Sequence, residues 1–145
     1  MRHNFDYTLR LIVGAVCCQL SLPAFAAPVT AVIRNIPDDT GTILVALCTE
    51  NEFLDPHCRY NAQIKSGAPE VSVRFADIPA GIYAVQAFQD RNGDGKLNRT
   101  FIGIPREPIG FSRNPRLRYG PPSFDECAVE ITPGGGTITL DLITH

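Results

Sequence analysis

The sequence has few of the residues on which most enzyme sites depend. It contains three histidines, His3, His57 and His145, and no CxxC pair. His3 lies in a segment that we expect to be removed, and His145 ends the chain. A Ser-His-Asp or Cys-His site would therefore have to use His57, which lies next to a cysteine that we expect in a disulfide. The sequence does not favour nucleophilic catalysis.

The sequence also lacks a strong excess of charge of either sign. Its formal net charge is −2, and residues 27–145 carry 11 basic and 14 acidic side chains. A weakly acidic protein of this kind lacks the excess of basic residues that nucleic-acid-binding proteins carry. We expect no nucleic-acid partner.

No apolar run reaches the roughly 20 residues that a membrane-spanning helix needs. The longest, residues 11–22, follows Arg2 and Arg10, and it ends at Pro23. Ala24-Phe25-Ala26 then has the small-x-small pattern of a signal-peptidase site. We therefore expect a signal peptide at residues 1–26, cleaved after Ala26.

Such cleavage predicts a periplasmic or secreted protein that does not span the membrane. Residues 27–145 are enough for a single domain with a real core, which we predict to be one β-sandwich. An uncleaved anchor is one alternative, and a lipoprotein signal at Cys17 or Cys18 is another.

No segment has a helical period over three turns, whereas short apolar or alternating runs recur between Gly, Pro and Asp turns. These runs predict an all-β sandwich of six or seven strands, with the first two strands paired as a hairpin. The predicted strands are 28–36, 42–48, 61–66, 70–76, 82–89, 127–132 and 137–143.

A long segment at residues 90–124 has no strand pattern but is not a disordered linker. Gly and Pro recur along it, and apolar side chains lie between them. A disordered linker would lack those apolar residues. We expect an ordered loop that packs on one sheet and covers outward residues such as Phe88.

Three cysteines follow the predicted cleavage site, namely Cys48, Cys58 and Cys127. Export makes a disulfide plausible, and Cys48–Cys58 is the nearest pair. Cys127 would remain free in a strand-like run. A zinc site from Cys48, His57 and Cys58 is a weaker alternative because no fourth ligand is evident.

The long segment opens with oxygen-bearing residues at the spacing of a calcium loop. Alternate side chains of such a curled loop point at one centre, and hard oxygen donors suit calcium. Gly95 stands where the loop must bend sharply, and Lys96 would contribute its carbonyl oxygen. The predicted metal residues are Asp90, Asn92, Asp94, Lys96 and Asn98.

The calcium pattern is incomplete because Phe101 stands where an EF-hand has a bidentate Glu. A further carboxylate must then come from elsewhere, and the candidates are Glu107, Asp125 and Glu126. With so few carboxylates we expect weak affinity, about 10⁻⁴ to 10⁻³ M. The alternative is an Asx turn in which Asp90 and Asn92 bond backbone amides without an ion.

The long segment is also rich in cations. Seven basic residues between 90 and 118 face three acids. They suggest an anion site for a phosphate, a glycan carboxylate or a lipid headgroup, or otherwise a solvated loop. The basic residues are Arg91, Lys96, Arg99, Arg106, Arg113, Arg116 and Arg118.

The segment from Asp90 to Phe124 resembles DUF2141, a family of exported bacterial proteins of uncharacterised function. The turn around Pro79, Gly81 and Tyr83 also resembles the P-x-G-x-Y turn of transthyretin-like sandwiches. The sequence departs from the family pattern at Asn98, where Asp is more usual, and at Arg113, where Asn is common. The residues that carry the long motif are Asp90, Asn92, Asp94, Gly95, Lys96, Leu97, Gly103, Pro105, Glu107, Gly110, Phe111, Ser112, Gly120, Pro121, Pro122 and Phe124.

The resemblance implies an Ig-like or transthyretin-like β-sandwich, without an established activity or substrate. Our leading hypothesis is an exported binding or structural module, stabilised by Ca²⁺ and facing a cell-envelope partner or an anionic ligand. A hydrolase that uses carboxylates around Asp90 and Glu107 is one alternative. A carrier of a small anionic or apolar ligand is the other, and it requires a concave cavity.

Overall fold

The computed structural model describes residues 26–118 and 120–144, and it is nearly all β. A short 3-10 helix, Glu50–Glu52, and one helical turn, α1 (Phe124–Cys127), interrupt the strands. The strands are β1 (Ala26–Arg34), β2 (Thr42–Cys48), β3 (Tyr60–Lys65), β4 (Glu70–Pro79), β5 (Gly81–Asp90), β6 (Ile109–Phe111), β7 (Val129–Ile131) and β8 (Gly136–Asp141).

Two sheets form the sandwich. The first has three strands in the order β4-β1-β8, with β1 antiparallel to β4 and parallel to β8. The second has the order β3-β2-β5-β6, all antiparallel, and β7 pairs with the start of β5. The predicted all-β sandwich with an ordered long loop is confirmed.

The main core lies between the two sheets and follows from strand alternation. Inward side chains of β1, such as Val29 and Ile33, meet those of β2 and β5, such as Ile43, Leu47 and Val85. All five are fully buried.

The second core cluster lies on the outer side of the five-stranded sheet. Ala84, Ile109, Phe111 and Cys127 are its buried members, and Phe88 packs against it. The long segment therefore covers the outward face of β5, as the apolar residues within it predicted. Both faces of this central strand are covered, so Asp90 at its end is held in a rigid frame.

The predicted hairpin of the first two strands is wrong, because β1 and β2 lie in opposite sheets. Both strands turn a complete apolar face toward the same core, and they do so from opposite sides, one in each sheet. The connection is fixed by Ile36, which is buried and whose N–H donates to the Pro69 carbonyl at 3.1 Å.

Strand number and several boundaries also differ from the prediction. The described part of the chain, residues 26–118 and 120–144, has eight strands rather than six or seven, because the long segment contributes β6. The strand expected at 127–132 shortens to β7, since Ser123 and Glu126 form a capping box that starts α1. The strand expected at 70–76 continues to Pro79, past Asp77, whose φ is +54°.

The predicted disulfide is confirmed, with Cys48 and Cys58 bonded. Both sulfurs are therefore committed, and the zinc alternative is wrong. Cys127 is a buried free thiol that ends α1 instead of lying in a strand. Burial, with the nearby Glu126 charge, raises the pKa of the Cys127 thiol to about 11.

The predicted signal peptide lies almost wholly outside the described residues, which begin at Ala26, the first residue of β1. Within residues 26–118 and 120–144, no helix is both long and apolar enough to cross a membrane.

Candidate functional site

The calcium-like loop begins where β5 ends. Asp90 pairs with Thr42 of β2 and is only 3% exposed, so its carboxylate has a fixed position. One carboxylate oxygen accepts the Gly93 N–H and the other accepts the Gly95 N–H, each at 2.8 Å. Gly95 has a φ of +71°, which suits glycine and lets the chain curl around the carboxylate. Asp90 therefore shapes the first half of the loop.

Glu107 closes the same loop from the other side. Its carboxylate is buried and accepts the Arg91 N–H at 3.0 Å and the Asn98 N–H at 2.9 Å. Of the three carboxylates considered from sequence, the structure brings Glu107 against the loop. Asp125 and Glu126 lie in α1, where Glu126 caps Ser123. We call residues 90–107 the 90–107 loop.

Inside the 90–107 loop, oxygen atoms surround one side-chain amide. The Asn98 amide nitrogen lies 3.0 Å from Asp94 Oδ2, 3.1 Å from the Lys96 carbonyl oxygen and 3.5 Å from Glu107 Oε2. The Asn92 amide nitrogen also lies 3.0 Å from Asp94 Oδ2. Rotating the Asn98 amide by a half-turn would replace its nitrogen by an oxygen that can ligate a cation, at little steric cost.

The electrostatics of the loop favour an ionised carboxylate. The Asn98 amide, the Lys96 N–H and the Asn92 amide lower the pKa of Asp94. Arg91 does not neutralise the loop, because its guanidinium pairs with Asp38 at 2.6 Å. The ionised Asp94 carboxylate therefore has polarised amides as its nearest compensation, and the charge of Lys96 also lowers its pKa.

The donor set fits a hard cation only if amide and main-chain oxygens take part. Among residues 26–118 and 120–144, no three His, Cys, Asp or Glu side chains group closely enough to hold a metal. Calcium accepts carboxylate, amide and carbonyl oxygens together. The Asx-turn alternative has its own bonds, from the Asp94 N–H to Asn92 Oδ1 at 3.2 Å and from the Lys96 N–H to Asp94 Oδ1 at 2.8 Å. The two interpretations share one loop shape.

The comparison with known proteins bears on the whole sandwich. Residues 31–139 match a family described as an uncharacterised protein conserved in bacteria, DUF2141. The chain belongs to the DUF2141 family. No curated protein and no solved structure matches it. The matched range includes the complete 90–107 loop, so this loop is part of the DUF2141 domain.

Beside the loop, the outer face of the five-stranded sheet of this DUF2141 domain carries a groove of about 540 Å³. Outward residues of β2 and β5, such as Leu44 and Phe88, line it. His57 from the disulfide-closed loop and Lys96 and Arg99 also line it, and its lining includes no Asp or Glu. The groove therefore combines an apolar surface with positive charge.

The other basic residues of the long segment do not line this groove. Arg91 pairs with Asp38, and Arg113 donates to the Asp125 carbonyl at 3.0 Å. Only Lys96 and Arg99 of the seven line the groove.

Two polar residues also hold the site together: Ser112, which the sequence indicated only as part of the family motif, and Gln86, which it did not single out. Gln86 donates to the Asp55 carbonyl and accepts the Leu54 N–H, each at 3.1 Å, which ties the disulfide-closed loop to β5. Ser112 is fully buried, accepts the Val85 N–H and donates to the Cys127 carbonyl. A polar residue within an apolar strand is the only sequence signal for Gln86.

Proposed function

We propose that the protein is an exported β-sandwich binding module whose 90–107 loop is stabilised by Ca²⁺. The observation that carries the proposal is the packing of Asp94, Lys96 and Glu107 oxygens around the Asn98 amide. The partial positive charge of one amide NH₂ compensates the negative charge of these oxygens weakly, whereas a divalent cation compensates it strongly. The proposed ligands are Asp90, Asn92, Asp94, Asn98 and Glu107, with the carbonyl of Lys96.

Export supports the same proposal. The small-x-small site at Ala24–Ala26 predicts delivery to the periplasm or medium. The Cys48–Cys58 bond suits an oxidising compartment. Sites with few carboxylates bind calcium at about 10⁻⁴ to 10⁻³ M, a range used by modules outside the cytosol.

Calorimetric titration with CaCl₂ tests the proposal. The protein is expressed from the full sequence and purified after chelation with EDTA. We expect saturable binding at one site, lost in Asp94→Asn and retained in Asp125→Asn, whose acid lies in α1. Absence of calcium heat in the wild type, or equal affinity in Asp94→Asn, would contradict the proposal.

A second candidate function is a carrier of a small amphiphilic anion in the groove. Its volume of about 540 Å³ falls within the usual range for ligand sites, and its lining is cationic and apolar. The lining has no Asp or Glu, so this groove does not contain the Asp90 and Glu107 carboxylates of the hydrolase alternative.

Fluorescence of anilinonaphthalene sulfonate tests the carrier function. This probe joins an apolar ring system to an anion. We expect saturable enhancement that weakens in Lys96→Ser/Arg99→Ser and persists in Arg74→Ser, an exposed change on β4. Equal enhancement by all three proteins would exclude the groove as the anion site.

A further inference from the structure

A short hairpin projects from the 90–107 loop, and we call residues 99–106 the 99–106 hairpin. Arg99 and Pro105 form an antiparallel bridge. The Arg106 N–H donates to the Asn98 carbonyl at 2.8 Å, which joins the base of the hairpin to the loop. Since Glu107 also bonds the Asn98 N–H, this base is anchored to a buried residue.

The tip of the hairpin is a defined turn. The Gly103 N–H donates to the Thr100 carbonyl at 2.9 Å, so Phe101 and Ile102 are the two central residues. The Ile104 N–H donates to Thr100 Oγ1 at 3.1 Å and adds a second closure. The chain therefore presents the tip in one shape.

The tip carries apolar side chains where turns usually carry polar ones. Central turn positions favour Gly, Pro, Asn, Asp and Ser. Here Phe101 is 98% exposed, Ile102 66% and Ile104 43%. Single exposed apolar residues are normal, but three within four positions of one hairpin form a patch. These exposed side chains bury little apolar area when the protein folds, so they add little to its stability. Their position instead suggests contact with an apolar medium outside the protein.

Positive charge accompanies the apolar tip. The 99–106 hairpin contains Arg99 and Arg106 and no acidic residue, and Lys96 precedes it. All three cations are exposed. Arg99 donates to the Gly103 carbonyl at 3.2 Å, which lays its guanidinium along the hairpin. An apolar tip with cations near its base is complementary to an apolar layer under anionic phosphates.

We infer that the 99–106 hairpin inserts its tip into the surface of a membrane that contains anionic phospholipid. Phe101 and Ile102 enter the acyl boundary, while Arg99 and Arg106 meet headgroup phosphates. A narrow, convex tip suits a lipid surface, whereas a protein partner would need a matching pocket. The inference goes beyond the proposed calcium site and does not rest on it, because backbone bonds to Glu107 and Asn98 hold the hairpin.

The absence of tryptophan makes a direct reporter available. The variant Phe101→Trp has a single Trp at the tip, and the matched control Ile82→Trp places it at an exposed position on β5. Both are mixed in EDTA with vesicles of phosphatidylglycerol and phosphatidylcholine. We expect a blue shift of emission for the tip variant alone, weakened by high salt. No shift, or equal shifts in both variants, would overturn the inference.

Vesicle co-sedimentation gives the second measurement, with the same lipids and EDTA. We expect Phe101→Ser/Ile102→Ser to lower the partition coefficient about tenfold or more, from the apolar area lost to the membrane. Arg99→Ser/Arg106→Ser should weaken binding to anionic vesicles, while Arg74→Ser should not. Partitioning unchanged by both tip and arginine variants would overturn the inference and leave a protein partner for the tip.

Discussion

At the scale of single residues, two buried carboxylates give the 90–107 loop its shape. Asp90 bonds the amides of Gly93 and Gly95, and Glu107 bonds those of Arg91 and Asn98. Four backbone N–H groups in one short loop thus depend on two side chains. The candidate ion site is built on this frame, so the frame can be tested without metal.

Replacing Glu107 by Gln should destabilise the protein even in EDTA. An amide NH₂ would face one of the two N–H donors and leave it unpaired in a buried position. The variant also removes the repulsion between the Glu107 and Asp94 carboxylates, but this gain is smaller than the loss of the hydrogen bond because Asp94 is exposed to solvent. We expect a loss of about 1–3 kcal/mol in the free energy of unfolding, measured with urea.

The matched control for Glu107→Gln is Glu130→Gln, which changes an exposed Glu on β7. Equal stability of the two variants in EDTA would show that Glu107 does not support the loop.

At the scale of elements, the long segment is attached to β5 by polar as well as apolar contacts. Ser112, which directly follows β6, links β5 to α1 through Val85 and Cys127. Ile109 and Phe111 of β6 complete the apolar cluster over Ala84. The segment is thus a third layer on the sandwich.

Replacing Ser112 by Ala should therefore loosen this layer. The change leaves the Val85 N–H and the Cys127 carbonyl without their partner in a dry environment. We expect a loss of about 2–4 kcal/mol in urea unfolding. Ser72→Ala, at an exposed position on β4, is the control. A loss no larger than that of the control would contradict this role of Ser112.

Strand positions in the sandwich were largely predictable because alternation reports burial directly. Val29, Ala31 and Ile33 are in phase in the sequence and buried in the structure. The pairing of β1 was not predictable in this way, since alternation does not say which strand lies across the core. The sequence did not predict β6, because Ile109-Gly110-Phe111 is too short to show an alternating pattern. The glycine in its middle is required by a tertiary contact, since a side chain there would meet the Asp141 carbonyl.

The candidate site was predictable in its first half only. Spacing alone placed Asp90, Asn92, Asp94 and Asn98 in one curled loop. The approach of Glu107 depends on the 99–106 hairpin, which returns the chain to Asn98. Spacing could name Glu107 as a candidate but could not choose it over Asp125 and Glu126, because that choice depends on tertiary contacts.

At the scale of the whole molecule, four half-buried or exposed carboxylates couple stability to pH. Hydrogen bonds from backbone and side-chain donors lower the pKa of each one. A lowered pKa in the folded state means that the unfolded chain binds more protons in acid. The stabilisation is then complete above the unfolded pKa, about 4, and is lost as the pH falls from there through the lower pKa of the folded state. The carboxylates are Asp38, Glu52, Asp94 and Glu126.

We expect the urea midpoint in EDTA to stay nearly constant from neutral pH to about 5 and then to fall as the pH is lowered to about 3. Asp94→Asn should flatten part of this slope because it removes one of the four titrations. A midpoint that stays constant or rises on acidification would contradict the assignment of these hydrogen bonds.

Calcium binding by the 90–107 loop is tested most directly by anomalous diffraction from crystals of the protein grown with Ca²⁺. We predict an anomalous peak in the loop, with oxygens of Asp94, the Lys96 carbonyl and Glu107 at about 2.3–2.6 Å and the Asn98 amide turned to present its oxygen. A loop without a peak, in which the Asn98 nitrogen still faces Asp94, would contradict the account and establish the ion-free Asx turn.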